Sequence, residues 1–195
     1  MKDELWQKTI EFHGHICPGI AVGFRAALFA ARLLESEGKK IESSHFVIAH
    51  NDVCGLDGIQ VVTGCSIGNA GLVIDNKGKQ SFSFISKKTG QGIRLILAVP
   101  LWLSDEPICL HQKVKIGAAT EQEKQDFIRL RGKRGLEMLD YSDEEMFAVS
   151  KVASEPENRP RLYPTVKCES CSEDVMTPWI MEKEGKKICL DCSGD

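Results

Sequence analysis

Residues 12–34 read FHGHICPGIAVGFRAALFAARLL, and this stretch places His13, His15 and Cys17 immediately before an apolar helical pattern. Imidazole and thiolate are the side chains that bind a borderline-soft metal such as Zn2+ or act as nucleophile and base. Cys17 precedes Pro18, which biases its backbone to the extended region. If that extension reaches back to His13, residues 13, 15 and 17 share one side of the chain. A thiol at the mouth of the helix that follows meets exposed N–H groups and the positive end of the dipole, which favour the thiolate. A second stretch, His50-Asn51-Asp52-Val53-Cys54-Gly55-Leu56-Asp57-Gly58, follows a strand pattern and adds a thiol and carboxylates in a glycine-punctuated loop. His15, Cys17 and Cys54 form an N/S/S set that suits a divalent metal, Zn2+ first, with the fourth position open. Cys17, Asp57 and His13 are the candidate catalytic groups, with Asp57 and His13 in the outer shell of the metal and Asp57 as general base or ligand-orienting partner. The structural alternative is a turn whose histidines hydrogen-bond in a core and an Asp57 that caps a helix.

The other chemical signal is at the C-terminus. Cys168, Cys171, Cys189 and Cys192 form C-x2-C-x17-C-x2-C. Two such knuckles bring four thiolates around one tetrahedral Zn2+, and a segment of about 30 residues buries too little surface to fold without such a staple. Residues 179–188 between the knuckles read as a hairpin turning at Gly185, a zinc-ribbon or treble-clef pattern. Free or disulfide-bonded cysteines are the alternative. Residues 150–195 carry seven Lys/Arg against nine Asp/Glu, a net of −2, which disfavours nucleic acid as a partner.

The elements that must position these groups follow from periodicity and punctuation. Helices are expected over residues 3–12, 18–37 with Pro18 in its first turn and Gly38 at its exit, and 121–139; Ser142 with Glu145 is a capping box opening one more. A short helix is expected over 57–63, and strands over 45–50, 71–75, 81–86 and 93–99. Strands in one block with helices on either side, without βαβ alternation, indicate an α+β domain at 1–152. Three prolines at 156, 160 and 164 mark 153–164 as an extended linker, and 165–195 form the cysteine domain. Cys65, after Gly64, reads as a small apolar residue, with lining of the same pocket as the alternative; Cys109 and His111 have no evident partners, and the basic run Arg129–Arg134 reads as a solvated helix face, with anion binding as the alternative.

The balance of 25 basic and 28 acidic residues gives a net charge of −3, so no overall field recruits nucleic acid or an anionic membrane. The start, MKDELW, is too polar for a secretory signal, and the longest apolar run, 95–103, is too short to span a bilayer. A cytoplasmic protein is expected, with its eight cysteines serving metal or redox chemistry before disulfides.

The run F-H-G-H-x-C-P-G-x-x-x-G-x-R-A-A at Phe12–Ala27 resembles the signature of the FmdE family of formylmethanofuran dehydrogenase. C-G-x-D-x-I-Q-x-x-T-G-C at Cys54–Cys65 and GKQSFSF at 78–84 resemble two further motifs of that family. The resemblance implies an α+β core with a mixed or antiparallel sheet of the glyceraldehyde-3-phosphate dehydrogenase catalytic-domain type, a homodimer, an appended cysteine zinc domain, and a cleft whose site residues match His15, Cys17, Cys54 and Asp57. The sequence departs from the family where a lysine is common, with Asn69 after Gly68. The formylmethanofuran reaction itself uses molybdenum or tungsten and iron–sulfur centres, for which this chain has no evident motif. Three roles follow: a zinc-dependent catalytic or accessory component in one-carbon (CO2/formyl) metabolism, a metal-delivery protein for molybdenum or tungsten enzymes, and a zinc-ribbon regulator. The acidic tail disfavours the last.

Overall fold

The computed structural model describes residues 2–34, 41–154 and 162–194. The chain divides into two compact units, residues 1–156 and 157–195. The expected helix exit at Gly38 and most of the expected 153–164 linker lie outside the described residues.

The first unit is α+β. Its elements are α1 (Lys2–His13), α2 (Pro18–Leu33), β1 (His45–Ala49), α3 (Gly55–Thr63), β2 (Leu72–Ile74), β3 (Ser81–Ser86), β4 (Gln91–Leu97), α4 (Glu106–Lys115), α5 (Glu121–Glu137), α6 (Asp143–Met146) and β5 (Phe147–Ala153). The five strands form one mixed sheet in the order β2-β1-β3-β4-β5, with β1 and β2 parallel and the remaining pairs antiparallel.

Strand β3 sits at the centre, and its alternation sends Phe82 and Phe84 into the main core with Ile20, Phe24, Ala27, Ile59 and Leu95. Helix α2 is buried along most of its length, which its Ala- and Gly-rich sequence permits by letting α3 approach closely. A Cβ on Gly23 would overlap the carbonyl of Gly55, so the crossing of the two helices depends on that missing atom. Trp6 of α1 packs on Phe24 with ring centroids 4.9 Å apart.

Arg25 emerges from the buried face of α2 and donates to the carbonyls of Met138 (3.2 Å), Leu139 (2.7 Å) and Tyr141 (2.6 Å) and to Asp143 (2.6 Å). It thereby satisfies carbonyls left open at the end of α5 and fastens that helix to α2. The Ser142–Glu145 capping box is present, but the helix it opens lasts only four residues before Phe147 begins the edge strand β5. Arg134 is also buried, donating to the carbonyls of Pro100 (2.5 Å) and Leu101 (3.2 Å). The basic run is therefore not a uniformly solvated face.

The second unit holds β6 (Thr165–Lys167) paired with β7 (Asp174–Met176), β8 (Ile180–Lys183) paired with β9 (Lys186–Cys189), and the short α7 (Leu190–Ser193). Its buried cluster is Cys168, Ile188 and Cys189, too small a core to hold two hairpins by apolar burial. The β8–β9 hairpin turns at Glu184–Gly185, both at positive φ.

Candidate metal centre

The N-terminal site is assembled from the ends of three helices. Helix α1 ends at His13, and Gly14 at φ +84° reverses the chain, its N–H closing on the Ile10 carbonyl at 2.7 Å. The extended run expected from residue 13 to 17 is thus broken at Gly14. Residues 13, 15 and 17 meet through a helix exit followed by a turn, not through strand alternation. Cys17 is extended, at φ −151° and ψ 164°, and caps α2, its Sγ accepting the Ile20 N–H at 3.4 Å. Cys54 stands at the N-cap position of α3, but in helical geometry (φ −41°, ψ −31°) and without a side-chain cap hydrogen bond. The α2–α3 packing brings both caps together: a Cβ built on Gly19 would lie 3.8 Å from each sulfur.

His13, His15, Cys17 and Cys54 each offer a donor atom within 4.8 Å of all the others, so the four can hold a metal ion. His13 Nε2 lies 3.7 Å from Cys17 Sγ. Two donors on one tetrahedral zinc with bonds of ~2.0–2.3 Å sit about 3.5–3.8 Å apart, so this pair already has coordination spacing. The expectation placed His13 in an outer shell; the structure puts its ring among the donors. The signal was in the sequence as a third soft ligand in HGHxC, but only the Gly14 reversal aims it inward.

Behind His13, its Nδ1 meets Asp57 Oδ2 at 2.7 Å, with the His13 side chain 9% and that of Asp57 34% exposed. The Asp57 carboxylate also accepts from Gln60 at 3.3 Å. Asp57 lies in the first turn of α3 and is not its cap. A carboxylate on Nδ1 fixes the tautomer that leaves Nε2 free to bind, the arrangement found behind metal-ligating histidines.

The two thiols lie against each other and shift each other's proton affinity. Cys54 is lowered to about 6 because Cys17 hydrogen-bonds to its sulfur and the His13 charge is near. Cys17 is pushed up, first by that partnership with Cys54 and then by burial, against the Ile20 and Gly19 N–H groups that would lower it. His15 is lowered to about 4 by burial, the nearby Arg131 and His13, which keeps its imidazole neutral and able to ligate near pH 7.

Cys65 is fully buried and directs its Sγ to the His45 carbonyl at 3.8 Å, a core residue outside this centre. Cys109 is exposed, and His111 stacks on Phe127 with centroids 5.4 Å apart. Asn69, where a lysine was expected, braces its own loop by bonds to Ser66, Gly71 and the Gly64 carbonyl.

In the second unit, Cys168, Cys171, Cys189 and Cys192 likewise offer ligand atoms within 4.8 Å of one another. Cys171 and Cys189 sulfurs are 3.9 Å apart. Cys168 Sγ accepts N–H groups from Ser170 at 3.4 Å and Cys189 at 3.3 Å. Such N–H donors help hold the Cys168 thiol low, at about 6, with the Cys171 N–H the largest contributor. They compensate thiolate charge, so this donor set also fits a metal ion.

Residues 12–148 match the family model described as "FmdE, Molybdenum formylmethanofuran dehydrogenase operon". A protein of Archaeoglobus fulgidus described as a "Probable S-adenosyl-L-methionine-binding protein" is 31% identical over 191 residues, covering 94% of this chain and 51% of the relative. The chain thus spans about half the length of that curated relative. The crystal structure of a tungsten formylmethanofuran dehydrogenase FmdE-like protein from Syntrophus aciditrophicus superposes with a TM-score of 0.65 at 24% identity, covering 99% of this chain and 92% of that one, and shares its fold. With the family model matched over residues 12–148, more than half of its length, the chain belongs to the FmdE family.

Proposed function

We propose that this FmdE-family chain is a two-zinc protein: a structural Zn2+ held by Cys168, Cys171, Cys189 and Cys192, and a functional Zn2+ held by Cys17, Cys54, His13 and His15. The functional site serves as a catalytic or accessory centre in one-carbon (CO2/formyl) metabolism alongside molybdenum or tungsten enzyme subunits. The observation that carries the reading is the convergence of four soft donors with Asp57 hydrogen-bonded behind one of them. A donor set of two thiolates and two imidazoles selects zinc over magnesium or calcium, which prefer oxygen. When bound, zinc would supply Lewis acidity toward a carbonyl or carboxyl oxygen once one of the four donors yields its position or the coordination expands to five. The chain's residues do the rest: Asp57 orients His13, burial of Cys17 keeps water from the sulfur side, and the half-exposed His15 leaves one ligand on the accessible side. The family resemblance supports the one-carbon setting.

That same half-exposed His15 favours a second reading, metal delivery to a molybdenum or tungsten enzyme, because an exchangeable outer ligand is what transfer requires. No described helix is long and apolar enough to cross a membrane. Six of the eight cysteines stand in the two donor sets, a usage that belongs to a reducing compartment and supports a cytoplasmic site of action. A homodimer is proposed on the family resemblance.

Metal analysis of the purified protein tests the central claim. The expected content is two zinc per chain, one lost in Cys17→Ser and the other in Cys189→Ser. One zinc per chain, unaffected by Cys17→Ser, overturns the N-terminal centre. A centre that retains its zinc when incubated with apo partner enzyme favours the catalytic reading over delivery.

A further inference from the structure

Strand β5 closes one side of the sheet with a long edge. Its seven residues pair with β4 without a bulge, from Gln91 opposite Ala153 to Leu97 opposite Phe147. Just past each end the ladder continues, the Ala98 N–H donating to the Met146 carbonyl and the Ser154 N–H to the Gly90 carbonyl, both at 2.9 Å. Antiparallel partners exchange hydrogen bonds at every second residue, so Ala148, Ser150 and Val152 turn their N–H and C=O groups toward β4. Phe147, Val149, Lys151 and Ala153 turn theirs outward. Among the described residues nothing hydrogen-bonds to these outward groups. Residues 148–151 are exposed, Val149 at 47%.

The opposite edge of the sheet is guarded. Strand β2 has only three residues and is followed directly by Asp75, which pairs with Lys77 at 2.9 Å. Shortness, charge, proline and bulges are the means by which proteins keep edge strands from pairing. β5 is long and unbulged, with no proline and one charge, Lys151. Such an edge is a template for another strand.

Its sequence fits a second copy of itself. Outward residues must meet outward residues, so the two-fold axis of an antiparallel β5–β5 pair falls at Val149, Ser150 or Lys151. An axis at Lys151 sets two ammonium groups directly opposite each other, which is destabilising. An axis at Val149 leaves Val152 and Ala153 without strand partners. An axis at Ser150 pairs all seven residues and puts Val149 opposite Lys151 of the partner subunit, where the aliphatic stem covers the valine and the charges stay apart. The closest pairs, about 4.5 Å between Cα atoms, then fall at small side chains: Ser150 meets Ser150 of the partner subunit, and Ala148 meets Val152 of the partner subunit. We infer that the chain dimerises by pairing β5 with β5 about a two-fold axis at Ser150, joining two five-stranded sheets into one. The inference does not depend on the metal centre.

Light scattering of the full chain over a dilution series tests it, with circular dichroism and zinc content measured on each sample. Wild type should be dimeric at micromolar concentration. Val149→Lys, at an exposed position, places like charges opposite each other twice across the axis and should weaken association about tenfold or more, an effect that added salt relieves. Combining Val149→Lys with Lys151→Glu makes both pairs attractive and should restore the dimer, because only the axis at Ser150 sets these two positions opposite each other. In wild type the Val149 and Lys151 amides should resist hydrogen exchange and become open in Val149→Lys, while those of Ser150 and Val152 stay protected in both. A monomeric wild type, or folded Val149→Lys protein that associates as tightly as wild type, overturns the interface. Failure of Lys151→Glu to restore the dimer overturns the axis at Ser150.

Discussion

His13 Nδ1 and Asp57 Oδ2 lie 2.7 Å apart although 44 residues separate them in the chain. One is the last residue of α1 and the other lies in the first turn of α3, so this bond is where helix packing and metal-site chemistry coincide. Asp57→Ala should leave the N-terminal centre able to saturate with zinc but weaken it about 10–100-fold, the usual cost of removing a carboxylate behind a ligating histidine. Competition against a chromophoric chelator reads the shift, and an unchanged affinity contradicts the role given to Asp57.

Cys17→Ser should remove about one equivalent of zinc while the C-terminal equivalent persists, because the two donor sets share no residue. The same variant loses the sulfur that receives the Ile20 N–H, but serine is itself a good helix cap, so the fold should survive. Circular dichroism alongside metal analysis separates ligand loss from unfolding.

Cys189→Ser should release the other equivalent and expose residues 162–194 to proteolysis, since the buried cluster there is little more than Cys168, Ile188 and Cys189. Limited trypsin digestion should then cut at Lys183, Lys186 or Lys187 while the first unit resists. A protease-resistant tail without zinc would show that the hairpins hold without the metal.

Gly23→Ala tests the packing that brings the two cysteine caps together. The added Cβ would overlap the Gly55 backbone, where no flexible side chain can give way. The helices must separate, at a cost of about 1–3 kcal/mol or more. Thermal unfolding should show a lower Tm, and the N-terminal zinc should bind more weakly because Gly55 adjoins Cys54. A fall in Tm with unaltered metal affinity would place the strain away from the site.

Light scattering at micromolar concentration should return the mass of a homodimer. A monomeric mass would remove the dimer from the proposed function.

Much was readable in the chain as written. The C-x2-C pairs name their own cluster because metal-ligand spacing is local, and β3 was legible because Phe82 and Phe84 alternate with serines. The capping box at Ser142–Glu145 was equally local and equally visible. Strand β5 was not, because its exposed edge position leaves only Phe147 buried and gives no clean alternation. Helix α4 was missed for a similar reason: it buries only Pro107 and Leu110.

At the N-terminal site the sequence by itself determined the inventory: two imidazoles and a thiol before a helix, and a thiol and a carboxylate after a strand. Tertiary structure decided the roles. Gly14 turned His13 from bystander to donor, and the close approach of α2 and α3 brought Cys54 to Cys17. Ligand type is a property of one side chain, whereas proton affinity and orientation depend on which charges and dipoles lie within a few ångströms, and those neighbours come from parts of the chain that only folding brings near.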